Sequence, residues 1–274
     1  MNIAFRDVQH IEVEPGVRLA VRVSGAADKP AIVFSNSLAS DLGMYDEVAE
    51  RLAADALLIR YDTRGHGQSD APESGYSIER LGRDVIAILD ALKIERAVVC
   101  GTSLGGLIAM WLGLHAANRV SGLIPANTAA NFPPETMWRE RAATVRASGV
   151  ASLVQGSLDR WITAGYRAKH PARVEQLAQM IRTTAPAGYA GCCDVLAETN
   201  LLPDLPKIAC PVRVIAGLDD PSTPPSRAGE IVSAIKGAEV VTLEAAHISA
   251  VEAPDAFAAT VRGLLSSIEK TNKA

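Results

Sequence analysis

The chain has 274 residues, 48% of them hydrophobic and 21% charged. That suits one large α/β domain, or one domain with an inserted segment, and it is an ordinary globular composition rather than a disordered or fibrous one. A net charge of −4, with no block of Lys or Arg, leaves no electrostatic footprint for nucleic acid or a membrane surface. Cys100, Cys192, Cys193 and Cys210 have no metal-ligand spacing, and a bridge between the adjacent pair would be strained, so small buried thiols are expected rather than disulfides. Residues 1–10 carry Arg6 and Asp7 and no apolar core of a signal peptide, which points to the cytoplasm. The longest apolar stretch, 104–114, is too short to span a bilayer and reads as a buried helix.

In chain order, 11–13 and 17–23 alternate around Glu14-Pro15-Gly16 and predict a β-hairpin. Continuous apolar runs at 31–34 and 56–59 predict strands covered by helices on both faces. Between them, 44–53 has helical spacing through Tyr45, Val48, Ala49 and Leu52, and 78–92 repeats it through Leu81, Val85, Ile88, Leu89 and Leu92. A strand at 97–100, a helix from 104 and a strand near 120–126 follow, so strand and helix alternate and the sheet should be mostly parallel. The rhythm breaks at Asn131. From 131 to 206 there is no buried-strand run, only helical patches at 136–147, 150–162 and 173–181, which predicts a helical cap inserted into a core formed by 1–130 and 207–274. This stretch holds Trp138 and Trp161, two of the three tryptophans, with Phe132, Tyr166 and Tyr189. The concentration suits the roof of an apolar pocket, with Trp138 and Trp161 as candidate substrate contacts, and equally the packing of a small helical layer. Strands resume at 212–216 and 239–243. A helix over 254–267 opens on Pro254, where a missing N–H costs little, and a polar tail from Glu269 should fray.

Gly101-Thr102-Ser103-Leu104-Gly105 stands between a predicted strand and a predicted helix. In such an elbow the serine backbone is strained, its Oγ stands clear of both elements, and the next amide faces an incoming carbonyl oxygen. Glycines flank the serine because a side chain there would strike the neighbouring elements. A serine hydroxyl is a poor nucleophile at neutral pH and needs a base with an orienting carboxylate behind it. On this kind of scaffold the order is Ser, acid, His, with the histidine after the last strand. Of the five histidines only His247 follows the last predicted strand. Two carboxylates, Asp219 and Asp220, lie just beyond a strand end. Asp220 is preferred because Pro221 fixes the turn after it, and Asp219 is the alternative. An oxyanion requires two preorganised donors, assigned to the Leu104 amide and to the Leu38 amide in the loop Ser35-Asn36-Ser37-Leu38. The glycine-rich run 60–69, which includes His66, lacks the spacing of a dinucleotide fingerprint and reads as a structural loop beside the site.

With these residues placed, the whole chain resembles the α/β-hydrolase superfamily and, more narrowly, the 3-oxoadipate enol-lactonases. The narrow likeness rests on Ser35-Asn36-Ser37-Leu38, Ala126-Asn127-Thr128-Ala129-Ala130, Arg160-Trp161, Gly188-Tyr189-Ala190-Gly191-Cys192-Cys193 and Ala245-Ala246-His247-Ile248-Ser249. It implies an α/β-hydrolase fold, no cofactor, and opening of a small unsaturated lactone. Ser103 would attack the ring carbonyl, an enol would leave, and water activated by His247 would release the acid. One departure stands out. Where that family carries an Arg-Asp pair after the two cysteines, this chain reads Leu196-Ala197-Glu198-Thr199-Asn200. Binding of a substrate carboxylate would then fall to Arg139, Arg141, Arg160 or Arg167, although arginines on helices are usually solvated. An esterase, a carbon–carbon bond hydrolase with the same residues, or a ligand receptor on the same scaffold are the alternatives. Haloalkane dehalogenation is disfavoured, because it needs Asp where this chain has Ser103.

Overall fold

The computed structural model describes residues 7–273; of the stretch 1–10 read from the sequence, residues 1–6 lie outside the described residues. Strands β1 (Gln9–Glu14) and β2 (Val17–Gly25) form the opening hairpin, with Gly16 at φ +78° in its turn. There follow β3 (Ala31–Ser35), α1 (Asp46–Leu52), β4 (Leu57–Tyr61), α2 (Ile78–Ala91), β5 (Ala97–Thr102), α3 (Leu104–His115) and β6 (Val120–Ala126). The eight-stranded sheet has the order β1-β2-β4-β3-β5-β6-β7-β8 when completed by β7 (Arg213–Gly217) and β8 (Glu239–Leu243). The hairpin joins β4 antiparallel, and every pair from β4 to β8 is parallel.

Burial explains the elements. Every residue of β3 and β5 is buried, as unbroken apolar strands under two helical layers must be. Helix α2 starts on Ser77, whose side chain accepts from the Arg80 amide at 3.0 Å, and turns Leu81, Val85, Ile88 and Leu89 inward. Helix α3 is apolar on nearly all sides and buried on nearly all sides. Among the described residues, no helix is long and apolar enough to cross a membrane. All four cysteines are free; Cys100, Cys192 and Cys193 are buried and Cys210 is partly so.

Between β6 and β7 lie five helices, α4 (Glu135–Ser148), α5 (Val154–Trp161), α6 (Ala164–Lys169), α7 (Pro171–Thr183) and α8 (Pro186–Glu198), and no strand among the described residues. The ends of this segment meet: Asn131 bridges Asn200, and the Leu201 amide donates to Ala130 O at 2.8 Å. Two helices had no counterpart in the sequence pattern. Helix α6 is six residues long, below any periodic signal. Helix α8 is buried on most of its surface and has no polar face to reveal a period. It also carries two glycines for a packing reason: a Cβ at Gly188 would come within 2.3 Å of Gly65 Cα, and one at Gly191 within 2.3 Å of the Tyr76 ring. Helix α9 (Pro225–Ala234) likewise lay in an unassigned stretch. After the short α10 (Ser249–Glu252), α11 (Pro254–Lys273) continues as helix through the tail expected to fray, with no glycine or proline to stop it.

Candidate active site

The polar residues of interest all stand at the ends of parallel strands, where an α/β sheet exposes its loops on one edge. Ser103 occupies the turn from β5 into α3 with φ 56° and ψ −114°, a left-handed backbone that costs a non-glycine residue about 1–3 kcal/mol. Its neighbours hold it there. The Ser103 amide donates to Ala126 O at 3.0 Å, while Ser103 O accepts from the Leu107 amide at 3.1 Å and from Thr128 Oγ1 at 2.6 Å. The flanking glycines are sterically required: a Cβ on Gly101 would lie 2.0 Å from Gly105 O, and one on Gly105 2.1 Å from Ser35 O.

Behind β7, Asp220 is buried and surrounded by donors. Its Oδ1 accepts from the Ser222 amide at 2.8 Å and the Thr223 amide at 3.0 Å, and its Oδ2 from Thr223 Oγ1 at 2.7 Å and Asn127 Nδ2 at 3.1 Å. His247, in the loop after β8, presents Nδ1 to the same carboxylate at 3.0 and 2.9 Å. Burial alone would raise the Asp220 pKa, but His247 and the Thr223 donors outweigh it, and the carboxyl is held below its ordinary value. The ring therefore donates Nδ1–H to Asp220 and leaves Nε2 as the acceptor. Asp219, by contrast, is exposed, and the structure brings only its backbone to this loop, donating to Ala245 O at 3.0 Å. Gly217 lets the two loops approach: a Cβ there would sit 2.3 Å from Ala246 O.

Ser103 and His247 line one cavity, together with Ser37, Leu38, Phe132, Trp138, Arg141, Arg160, Trp161 and Tyr189. Among the described residues no hydrogen bond joins the serine hydroxyl to the ring; the two side chains meet through the cavity. Leu38 stands in a loop fixed by Asn36 Nδ2, which donates to Tyr61 O at 2.9 Å, and by Ser40, whose amide and hydroxyl both donate to Ser37 O. Leu104 is the first residue of α3, so its N–H has no intrahelical partner. A larger cleft of about 350 Å³, lined by Arg22, Asp41, Asp62 and Arg173, contains none of these residues and lies apart from the elbow.

The inserted helices supply the rest of the wall. Trp138 of α4 donates from Nε1 to Phe132 O at 2.7 Å, and Trp161 ends α5. Tyr166, grouped with these aromatics from the sequence, stacks on His170 instead and does not reach the cavity. The four arginines separate as sharply. Arg139 is paired with Glu135 and Glu198, and Arg167 with Asp159. Arg141 and Arg160 line the cavity and have no ion pair with a carboxylate among the described residues. Arg141 lies 4.8 Å over the Trp138 ring and beside the Tyr189 hydroxyl, which burial above all pushes up to about 12. Burial first, and then the positive charge of Arg141, lower the Arg160 pKa, as expected for two half-buried cations facing one space.

The sequence assigned no role to Thr223 or Glu252, and none to Asn127, Thr128 or Ser249 beyond their place in the strings that carry the family likeness. Asn127 links three loops: Nδ2 donates to Asp220 and to Ala246 O at 3.1 Å, and Oδ1 accepts from Ser249 Oγ. The available signal was position, since Asn127-Thr128 is a polar pair directly after a buried strand of a parallel sheet.

Comparison with known proteins bears on the fold and the family. Residues 30–254 match the family model described as the alpha/beta hydrolase fold. The chain is 41% identical over 249 residues to 3-oxoadipate enol-lactonase 2 of Acinetobacter baylyi, covering 91% of this chain and 93% of that one. Among solved structures, the enol-lactonase from Burkholderia xenovorans LB400 superposes with a TM-score of 0.91 at 38% identity, over 93% of this chain and 99% of that chain. A hydrolase from Pseudomonas aeruginosa PA01 does so equally, with a TM-score of 0.91 and 38% identity over 94% of this chain and 98% of its own. With an elbow serine, a parallel sheet in this strand order and a family match over most of its length, the chain belongs to the α/β-hydrolase fold family.

Proposed function

We propose that this protein is a carboxylic ester hydrolase that opens a small lactone bearing a free carboxylate, with 3-oxoadipate enol-lactone as the first substrate to test. One observation carries the reading: a single cavity holds Ser103, His247 and two guanidiniums, Arg141 and Arg160, that lack carboxylate partners among the described residues. Cations held half-buried without a counterion favour an anionic ligand, and arginine matches a carboxylate fork to fork. The enol-lactonase names of the relatives supply the kind of ester.

In this reading Ser103 Oγ attacks the lactone carbonyl while its proton passes to His247 Nε2, with Asp220 holding the ring in the productive tautomer. The amides of Leu104 and Leu38 receive the oxyanion. Collapse breaks the ring C–O bond, and the leaving enol oxygen takes the proton from His247. Because the ester is cyclic, that oxygen stays attached to the acyl chain, and nothing leaves between the two half-reactions. Water then gives its proton to His247, attacks the acyl-enzyme and releases the acid as Ser103 is reprotonated. Residues 131–206 act as the cap over a core of 1–130 and 207–274, with Trp138 and Trp161 against the carbon skeleton. The arginines bind substrate and transition state alike, so their contribution falls on KM.

The test has two arms. A fluorophosphonate should label folded protein at Ser103 and leave Ser103→Ala unlabelled; absence of labelling favours a receptor on the same fold. Turnover of the enol-lactone is then compared with its methyl ester and with p-nitrophenyl acetate. Plain esters turning over far better than every lactone would overturn the assignment.

A further inference from the structure

The corner between α5 and α6 is bonded to the His247 loop rather than merely packed on it. The Ile248 amide donates to Trp161 O at 2.9 Å, and the His247 amide to Arg160 O at 3.4 Å. Glu252 completes the junction from α10. Its Oε2 accepts from the Ala246 amide at 2.6 Å, and its Oε1 accepts from both the Thr163 amide at 3.0 Å and Thr163 Oγ1 at 2.7 Å. With its proton directed at Glu252, the Thr163 hydroxyl keeps a lone pair to cap α6, accepting from the Tyr166 amide at 3.2 Å. One carboxylate thus satisfies three donors belonging to two segments far apart in sequence, Ala246 adjoining His247 and Thr163 close to Arg160 and Trp161.

We propose that Glu252 is a positioning residue that fixes the recognition corner, Arg160 to Thr163, against the His247 loop, so that the carboxylate-binding guanidinium and the imidazole keep a constant separation. The inference rests on the carboxylate-anchoring role of Arg160 proposed above. The two sides of the junction are unequally supported. The His247 loop is also held from behind by Asp220 on the ring and by Asn127 Nδ2 donating to Ala246 O. Among the described residues, the Arg160 corner has only Glu252 and the two backbone bonds as hydrogen bonds to that loop. Loss of Glu252 therefore loosens recognition more than chemistry.

The experiment compares the carboxylate-bearing lactone with its methyl ester in Glu252→Ala, Glu252→Gln and Thr163→Val. Glu252→Ala is expected to lose about tenfold in kcat/KM on the anionic lactone, mostly through KM, against about threefold on the methyl ester. Glu252→Gln, which keeps one acceptor oxygen and the fold, should fall between, and Thr163→Val should show the same bias. In the pair Arg160→Ala with Glu252→Ala, adding the second change should cost the anionic lactone only the about threefold seen on the methyl ester, not the full tenfold. Hydrogen exchange reads the junction without substrate: peptides covering 160–163 and 246–248 should both exchange faster in Glu252→Gln. An equal loss on both substrates, additive effects in the double variant, or faster exchange confined to 246–248 would overturn the proposal. If Arg160→Ala leaves the preference between the substrates unchanged while both peptides loosen together, the carboxylate-anchor reading fails and the junction stands.

Discussion

Replacing Asp220 by Asn removes one charge and leaves the shape intact, and the structure dictates which way the new amide must turn. Oδ1 faces two backbone donors that cannot move, the amides of Ser222 and Thr223, so the amide oxygen takes that position. The amino group then points toward Asn127 Nδ2 and His247 Nδ1. Asn127 cannot flip to accept, because its Nδ2 also serves Ala246 O and its Oδ1 serves Ser249. Two consequences follow from the same rotation. The donor facing a donor costs about 1–3 kcal/mol of stability. The imidazole, now receiving a hydrogen bond at Nδ1, carries its proton on Nε2, where it can no longer take one from Ser103, and turnover should fall about 10⁴-fold. The loss is one of chemistry, so it should appear in kcat, equally for lactone and methyl ester, with KM little changed. Steady-state rates on both substrates measure it, and the imidazole nitrogen shifts report the tautomer directly. A loss smaller than tenfold in Asp220→Asn, or an equal loss in Asp219→Asn, would refute the reasoning.

Three further outcomes are expected. Arg160→Met and Arg141→Met should each raise KM for the anionic lactone by roughly 10- to 100-fold, the worth of a charge-assisted hydrogen bond, while the methyl ester changes by less than about threefold. His66 is buried with its pKa lowered to about 4 by desolvation, so it stays neutral in the folded chain while the unfolded chain protonates near pH 6.5. The His66 contribution to stability is fully present above pH 6.5 and falls by about 3 kcal/mol as pH drops toward 4; the difference in urea midpoints between the unchanged chain and His66→Gln across that range reads it. Gly188→Ala would put a Cβ 2.3 Å from Gly65 Cα and should cost about 1–3 kcal/mol, lowering Tm by roughly 2–5 °C in a thermal melt.

The core was readable because its strands are covered on both faces and show as unbroken apolar runs, while α2 keeps a polar side that reveals its period. The inserted helices hid where that contrast vanishes, above all in α8, which is wedged between α4 and the 64–76 loop and needs glycines where a helix usually avoids them. At the site, Ser103, Asp220 and His247 could be selected because each lies directly beyond a strand, and chain order supplied the rest. The arginines could not be sorted that way. Arg139 and Arg141 are two residues apart and so point to opposite sides of α4, but only Ala142 and Val145 of that helix are buried, too faint a stripe to say which side faces inward. Asn127 and Glu252 act through hydrogen bonds between segments 93 and 89 positions apart, a relation that no local pattern encodes.

The departure at Leu196-Ala197-Glu198 takes on a different meaning in three dimensions. Leu196 lines the cavity, Ala197 is only partly buried, and Glu198 is exposed and paired with Arg139. Positive charge therefore reaches the cavity from α4 and α5, through Arg141 stacked over Trp138 and through Arg160. These two sources differ in how rigidly they are tied to the reacting centre. Arg160 O accepts from the His247 amide itself, so a displacement of the histidine loop carries the guanidinium with it. Arg141 has no such link among the described residues and is steadied by Trp138 and Tyr189 within the inserted helices. A carboxylate held by both cations spans the fixed and the independent parts of the wall. Its binding should therefore draw α4 toward α5, and closing of the pocket and placement of the ester carbonyl at Ser103 then become one event.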